Sequence, residues 1–176
     1  MNIYLLGYMG CGKSKTGRRL AAHLGLPFTD LDNLFETRAG LRIDEFFARR
    51  SETEFRQEEA KLLRETADGT DRIISLGGGT PCFGDNMAWI KAHGFSVYLK
   101  MNELSLLQRL CSSPKKRPLL AGLSADGMLE RICTQLPQRE VFYLQADLVY
   151  SGINVDINAL WDGIRQALQK KQLPNE

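Results

Sequence analysis

Short apolar runs alternate along this chain with stretches in which apolar residues return every three or four positions, the signatures of strand and helix. Strands are expected at Asn2 to Leu6, Leu26 to Asp32, Arg72 to Leu76, Phe95 to Leu99 and Asp147 to Tyr150. Between them, Leu20, Ala21 and Leu24 mark a first helix that Gly25 and Pro27 stop, and a short helix fits Asn33 to Ala39. Residues 41 to 68 read as helices, with Ile43, Phe46 and Phe47 on one face and Phe55, Leu62 and Leu63 on another. Further helices are predicted over 85 to 93, Glu103 to Cys111, Ala125 to Gln138 and Ile157 to Leu168, and residues 170 to 176 are expected to fray. Five short strands alternating with helices predict an α/β fold, a parallel sheet covered on both faces, in one domain over residues 1 to 176.

The first strand runs into Gly7-Tyr8-Met9-Gly10-Cys11-Gly12-Lys13-Ser14, which fits G-x-x-x-x-G-K-[ST] at every fixed position. The glycines let the turn present its backbone N–H groups to an anion, and the helix that follows directs its N-terminus at the same point. Met9, Gly10, Cys11, Gly12, Lys13, Ser14 and Lys15 are therefore the expected nucleotide-binding residues. Lys13 supplies a point charge for the β- and γ-phosphates, and the Ser14 hydroxyl is suited to Mg²⁺. Lys15 stands where many such loops carry a second hydroxyl, and Thr16 is the nearest substitute. Cys11 reads either as a thiol made reactive by its electropositive loop or as a small residue that fits there.

Composition changes this picture little. The 176 residues suit one α/β domain, and a net charge of +2 gives no reason to expect a nucleic-acid or membrane partner. The four cysteines form no C-x-x-C pair and read as free thiols. No leader-like or membrane-spanning stretch is seen, which points to the cytoplasm.

Four further stretches carry candidate chemistry. Asp30 and Asp32 lie at the carboxyl end of the second strand, where ligands of open α/β sheets bind, although one of them fits a helix N-cap equally well. Arg56 with Glu59 three residues on is either an ordinary solvated helix pair, which spacing alone favours, or a carboxylate holding a guanidinium toward a ligand. Gly77-Gly78-Gly79, after the third strand, suggests backbone kept bare for close approach. Lys115 to Gly122 is basic and bounded by breakers, which fits a lid over the triphosphate, over about residues 112 to 123.

Together the phosphate loop, Asp30-Leu31-Asp32, Glu54-Phe55-Arg56, Gly77-Gly78-Gly79, Lys116-Arg117-Pro118-Leu119-Leu120 and Arg139 with Tyr143 resemble the shikimate kinase family in identity, order and spacing, over residues 3 to about 150. The resemblance implies a P-loop kinase fold like that of the nucleoside monophosphate kinases, with a substrate-binding helical excursion at about 33 to 62. It implies transfer of the ATP γ-phosphoryl group to the 3-hydroxyl of shikimate, on the route to chorismate and the aromatic amino acids. It places Lys13, Asp32 and Arg117 in catalysis, Arg117 also on ATP, and Asp32, Arg56, Gly77, Gly78, Gly79 and Arg139 around shikimate. Ser14 and Asp30 take the Mg²⁺, and a monomer is expected.

Departures fall on the adenine side. Arg109 lies near the place of one basic residue of the family, and residues 151 to 155 hold no counterpart of another, with Asn154 able to serve adenine by hydrogen bonding. Another small-molecule kinase of the same fold, such as a gluconate kinase, remains an alternative, as does a non-catalytic nucleotide-binding switch.

Overall fold

The computed structural model describes residues 1–113 and 122–172. Five strands, β1 (Asn2–Leu6), β2 (Phe28–Asp30), β3 (Ile73–Ser75), β4 (Gly94–Lys100) and β5 (Leu148–Ser151), form a parallel sheet in the order β2-β3-β1-β4-β5. The connecting helices are α1 (Lys13–Leu24), α2 (Leu31–Ala39), α3 (Ile43–Arg49), α4 (Glu52–Glu65), α5 (Asn86–His93), α6 (Glu103–Ser112), α7 (Ala125–Tyr143) and α8 (Ile157–Gln172), with one 3-10 turn at Thr80–Cys82.

β1 is buried along its whole length because it lies at the centre, paired with β3 on one side and β4 on the other. Its side chains alternate between layers as the strand period requires. Tyr4 meets Trp89 of α5, ring centroids 6.1 Å apart, whereas Leu5 faces α1 at Gly17. Gly17 has no room for a side chain: an added Cβ would overlap Cε2 of the Phe28 ring and lie 3.2 Å from Leu5 Cδ1, so glycine lets α1 seat directly on the sheet. The chain moves outward from β1 to β2, returns through β3, and continues on the other side with β4 and β5. This reversal beside β1 opens a crevice at the carboxyl ends of the strands, where such sheets bind ligands.

The helices after β2 share the main apolar core through Phe35, Phe55, Leu62 and Leu63. Phe46 and Phe47 of α3 reach the Phe55 ring, at 6.1 and 4.8 Å between centroids.

Most boundaries lie within a residue or so of expectation, and β2, α7 and α8 depart furthest. β2 stops at Asp30, whose side chain accepts from the Asp32 backbone N–H at 3.2 Å and caps α2, so Asp32 sits in a first helical turn rather than on a strand. α7 does not end at Gln138 but runs through Pro137 to Tyr143. Pro137 is exposed, and buried Ile132, Leu136 and Tyr143 hold the helix on the core despite the amide that proline lacks. α8 continues past Leu168 to Gln172.

Candidate active site

The loop between β1 and α1 is built by glycines that need positive φ: Gly7 at 138°, Gly10 at 87° and Gly12 at 97°. Gly12 caps α1 in the left-handed conformation, and the first turn of α1 contains no acidic residue, so an anion there meets N–H dipoles and Lys13 without a carboxylate from the helix itself. Lys13 is 9% exposed and its Nζ donates to the carbonyls of Gly7 at 2.8 Å and Tyr8 at 3.2 Å. Ser14 Oγ donates to Asp30 Oδ2 at 2.5 Å and lies 3.4 Å from Ser75 Oγ.

Ser14 and Asp30, far apart in sequence, thus form a pair of hard oxygen donors beside the loop. Among the described residues no group of three or more His, Cys, Asp or Glu side chains is placed to hold a metal ion. A hydroxyl with one carboxylate fits Mg²⁺, which keeps several waters and takes its other ligands from phosphate.

A cavity of about 960 Å³ spreads over this loop, lined among others by Lys13, Lys15, Thr16, Asp32, Gly78 and Asn154. Asn154 adopts φ 48°. Arg109 closes the same wall, with Nη1 donating to the Cys11 carbonyl at 3.0 Å and Nη2 to the Gly152 carbonyl at 2.9 Å. The guanidinium ties the phosphate loop to the segment after β5, a fixed role that its approximate alignment with a family position did not reveal. Cys11 is 1% exposed and its Sγ is 3.9 Å from Lys13 Nζ. Its burial favours the small residue that fits over the reactive thiol.

The three glycines after β3 each face a different charged group. A Cβ at Gly77 would lie 2.5 Å from Glu59 Oε1 and 3.0 Å from Asp32 Oδ1; at Gly78, 3.4 Å from Arg139 Nη1; at Gly79, 2.6 Å from Arg56 Cζ. None of the three has positive φ; space rather than conformation requires glycine at positions 77 and 79, whereas a Cβ at Gly78 would make only ordinary contacts. Asp32, Arg56 and Arg139 are thereby gathered around one bare stretch of backbone, and Gly78 also borders the phosphate cavity. Tyr143, fully buried, donates its hydroxyl to the Gly78 carbonyl and pins the stretch from the side of α7. Burial pushes its phenol pKa up, so the hydroxyl stays a donor.

The solvated reading of Arg56 and Glu59 is incorrect. Glu59 is 2% exposed and accepts from Arg56 Nη1 at 2.8 Å and from the buried Thr80 hydroxyl at 2.6 Å. Burial pushes the Glu59 carboxyl up, the Arg56 charge and the two donated bonds pull against it, and nearby Asp32 adds to the rise. Burial disfavours the Arg56 cation, but the carboxylates of Glu59 and Glu52 together outweigh it, so its pKa rises. Spacing three residues apart could identify the pair but not the Thr80 hydroxyl that closes it from another segment. Glu59→Gln is expected to weaken binding of an anionic acceptor at Arg56 and to cost about 2 kcal/mol of stability, as for a hydrogen bond to a charged group; chemical denaturation and an acceptor titration check both. Cys82, beside both arginines, has its thiol pushed up to about 11 by burial and remains neutral.

Arg117 and most of the expected lid fall in residues 114–121, outside the described residues.

A glycine-built anion cradle, bordered by bare backbone that gathers two guanidinium groups and a carboxylate, has the parts of a P-loop phosphotransferase with a small anionic acceptor. The comparisons with known proteins narrow this. The family model for shikimate kinase matches residues 9–168. The shikimate kinase of Phocaeicola vulgatus is 37% identical over 172 residues, covering 96% of this chain and 98% of that protein. The crystal structure of shikimate kinase from Bacteroides thetaiotaomicron superposes with a TM-score of 0.85 at 35% identity, covering 98% of this chain and 96% of that one. Shikimate kinase from Acinetobacter baumannii, solved in complex with shikimate, gives 0.82 at 31% identity, covering 98% and 95%. The chain belongs to the shikimate kinase family and is an ATP-dependent kinase.

Proposed function

We propose that the chain transfers the γ-phosphoryl group of ATP to the 3-hydroxyl of shikimate, acting as one P-loop kinase domain, and that the site residues divide the work as follows. The observation that carries the acceptor side is the glycine run, whose bare backbone gathers Asp32, Arg56 and Arg139 beside the phosphate cavity. Shikimate carries one carboxylate and three hydroxyls, so it calls for guanidinium forks and an acceptor, which are the groups present.

Met9 to Lys15 cradle the phosphates, with Lys13 on the β- and γ-phosphates, and Asn154 takes the adenine side. Ser14 and Asp30 would hold Mg²⁺, which when bound neutralises charge on the phosphate oxygens. Asp32 orients the attacking hydroxyl. As the new O–P bond forms, the bond from the γ-phosphorus to the β,γ-bridging oxygen breaks, ADP leaves with its electron pair, and the hydroxyl proton passes to Asp32. Arg56 and Arg139 hold the carboxylate, and Gly77 and Gly79 let the wall come close. Arg117 is assigned to ATP from the family resemblance alone.

Among the described residues no helix is long and apolar enough to cross a membrane. A cytoplasmic monomer is part of the same reading, which sedimentation would test. The deciding assay couples ADP release to a spectroscopic signal with shikimate, gluconate or no acceptor. ADP release that depends on shikimate alone is expected. Equal release without acceptor, or preference for gluconate, overturns the reading.

A further inference from the structure

The phosphate-loop pattern leaves its second position open, yet this chain places a tyrosine there and buries it to 1% exposure. The Tyr8 side chain turns toward α7. Its hydroxyl donates to Gln135 Oε1 at 2.9 Å, and the Arg139 guanidinium lies over its ring at 5.5 Å from the centroid. Arg131, Gln135 and Arg139 recur at four-residue spacing along α7, which places them on one helical face. Burial raises the Tyr8 phenol pKa, while the charges of Arg139 and Arg131 oppose the rise, as expected for a ring seated among these residues. The backbone of the same residue belongs to the nucleotide site, since the Tyr8 carbonyl accepts from Lys13 Nζ at 3.2 Å and from the Cys11 N–H at 3.2 Å.

We infer that Tyr8 is a positioning residue for the acceptor site: its ring sets the plane of Arg139, and its backbone makes that alignment respond to the nucleotide loop. The inference rests on the reading of Arg139 as a carboxylate ligand. A ring face holds a guanidinium without using any of its N–H donors, so the fork stays available to a carboxylate. Lys13 is bonded to the Tyr8 carbonyl, so a nucleotide that draws Lys13 toward its phosphates alters the support of the residue beneath Arg139. Linkage then requires that shikimate change nucleotide affinity by the same factor.

The test measures shikimate dissociation constants by calorimetry, with and without ADP, for wild type, Tyr8→Leu, Tyr8→Phe, Gln135→Leu, Arg139→Ala and the Tyr8→Leu/Arg139→Ala double variant. Tyr8→Leu is expected to weaken shikimate by about tenfold, the effect of losing one desolvated cation–π contact, and Tyr8→Phe by only about threefold because it keeps the ring. ADP affinity without shikimate should stay within about twofold, and the effect of ADP on shikimate affinity should shrink in Tyr8→Leu. In the Arg139→Ala background, Tyr8→Leu should add almost nothing. A full tenfold loss in that background, an equal loss for ADP, or a Phe variant no better than Leu overturns the inference. If Arg139→Ala leaves shikimate affinity intact, the reading of Arg139 fails and the inference with it; if Arg139→Ala weakens shikimate and Tyr8→Leu does not, the inference alone fails. Should Tyr8→Leu not fold by thermal melting, Tyr8→Met serves as the ringless variant, and wild-type shikimate affinity in it refutes the positioning role.

Discussion

Replacing Lys13 by alanine is expected to slow phosphoryl transfer by at least about a thousandfold, on the order of 4 kcal/mol of barrier, while shikimate still binds. Lys13 is the buried cation of the loop, and its ammonium is already directed inward by the Gly7 and Tyr8 carbonyls. Arg109 is poorly placed to replace it, because its two terminal nitrogens are engaged by the Cys11 and Gly152 carbonyls. Lys15 is exposed. Phosphoryl transfer depends on alignment and on cations around the equatorial oxygens, so the loss falls on the chemical step as well as on nucleotide binding. Single-turnover transfer at saturating nucleotide is the measurement. A rate within about tenfold of wild type, roughly 1.4 kcal/mol, would remove Lys13 from the mechanism.

The phosphate loop was legible because its demands are local: positive-φ glycines, a lysine and a hydroxyl at fixed spacing fit only one kind of turn. The sheet was legible for a similar reason, since buried parallel strands read as apolar runs between helical periods. What escaped depends on contacts between distant segments or on which of two locally allowed conformations the chain takes. Either role for Asp30, strand end or helix cap, satisfies the local pattern; the 3.2 Å bond to the Asp32 N–H shows that it caps.

The acidic–basic pair on α4 shows the same limit. Arg56 and Glu59 look like any exposed helix pair until Thr80, from beyond β3, supplies the second donor and buries the carboxylate. The helical stop expected before Arg139 failed because the apolar face of α7 outweighs one missing amide. That longer helix matters for function, since it places Gln135, Arg139 and Tyr143 on one rigid element facing Tyr8 and Gly78. Gly77 to Gly79 were readable as bare backbone, but which charged group each one faces is information that only the fold contains.

Arg139→Ala is expected to weaken shikimate by about 2 to 5 kcal/mol, part of which is the penalty of leaving a desolvated carboxylate without its partner. The guanidinium reaches the Gly78 backbone, with Nη1 3.4 Å from the position of an added Cβ, and is flanked by the Tyr8 ring. Arg56, on the far side of the glycine run, is held by Glu59, so the two forks are anchored independently and neither can move to do the work of both. Arg139→Lys keeps the charge but loses the planar fork and its stacking on Tyr8, so affinity should remain well below wild type. ATP affinity without shikimate should change far less. The comparison that isolates the carboxylate uses a shikimate analogue bearing a neutral amide in its place. Wild type should discriminate strongly against the amide and Arg139→Ala hardly at all, because the variant has lost the group that distinguishes them. If Arg139→Ala instead weakens ATP and leaves shikimate affinity unchanged, Arg139 belongs to the nucleotide site, and the two guanidinium groups around the glycine run serve different ligands.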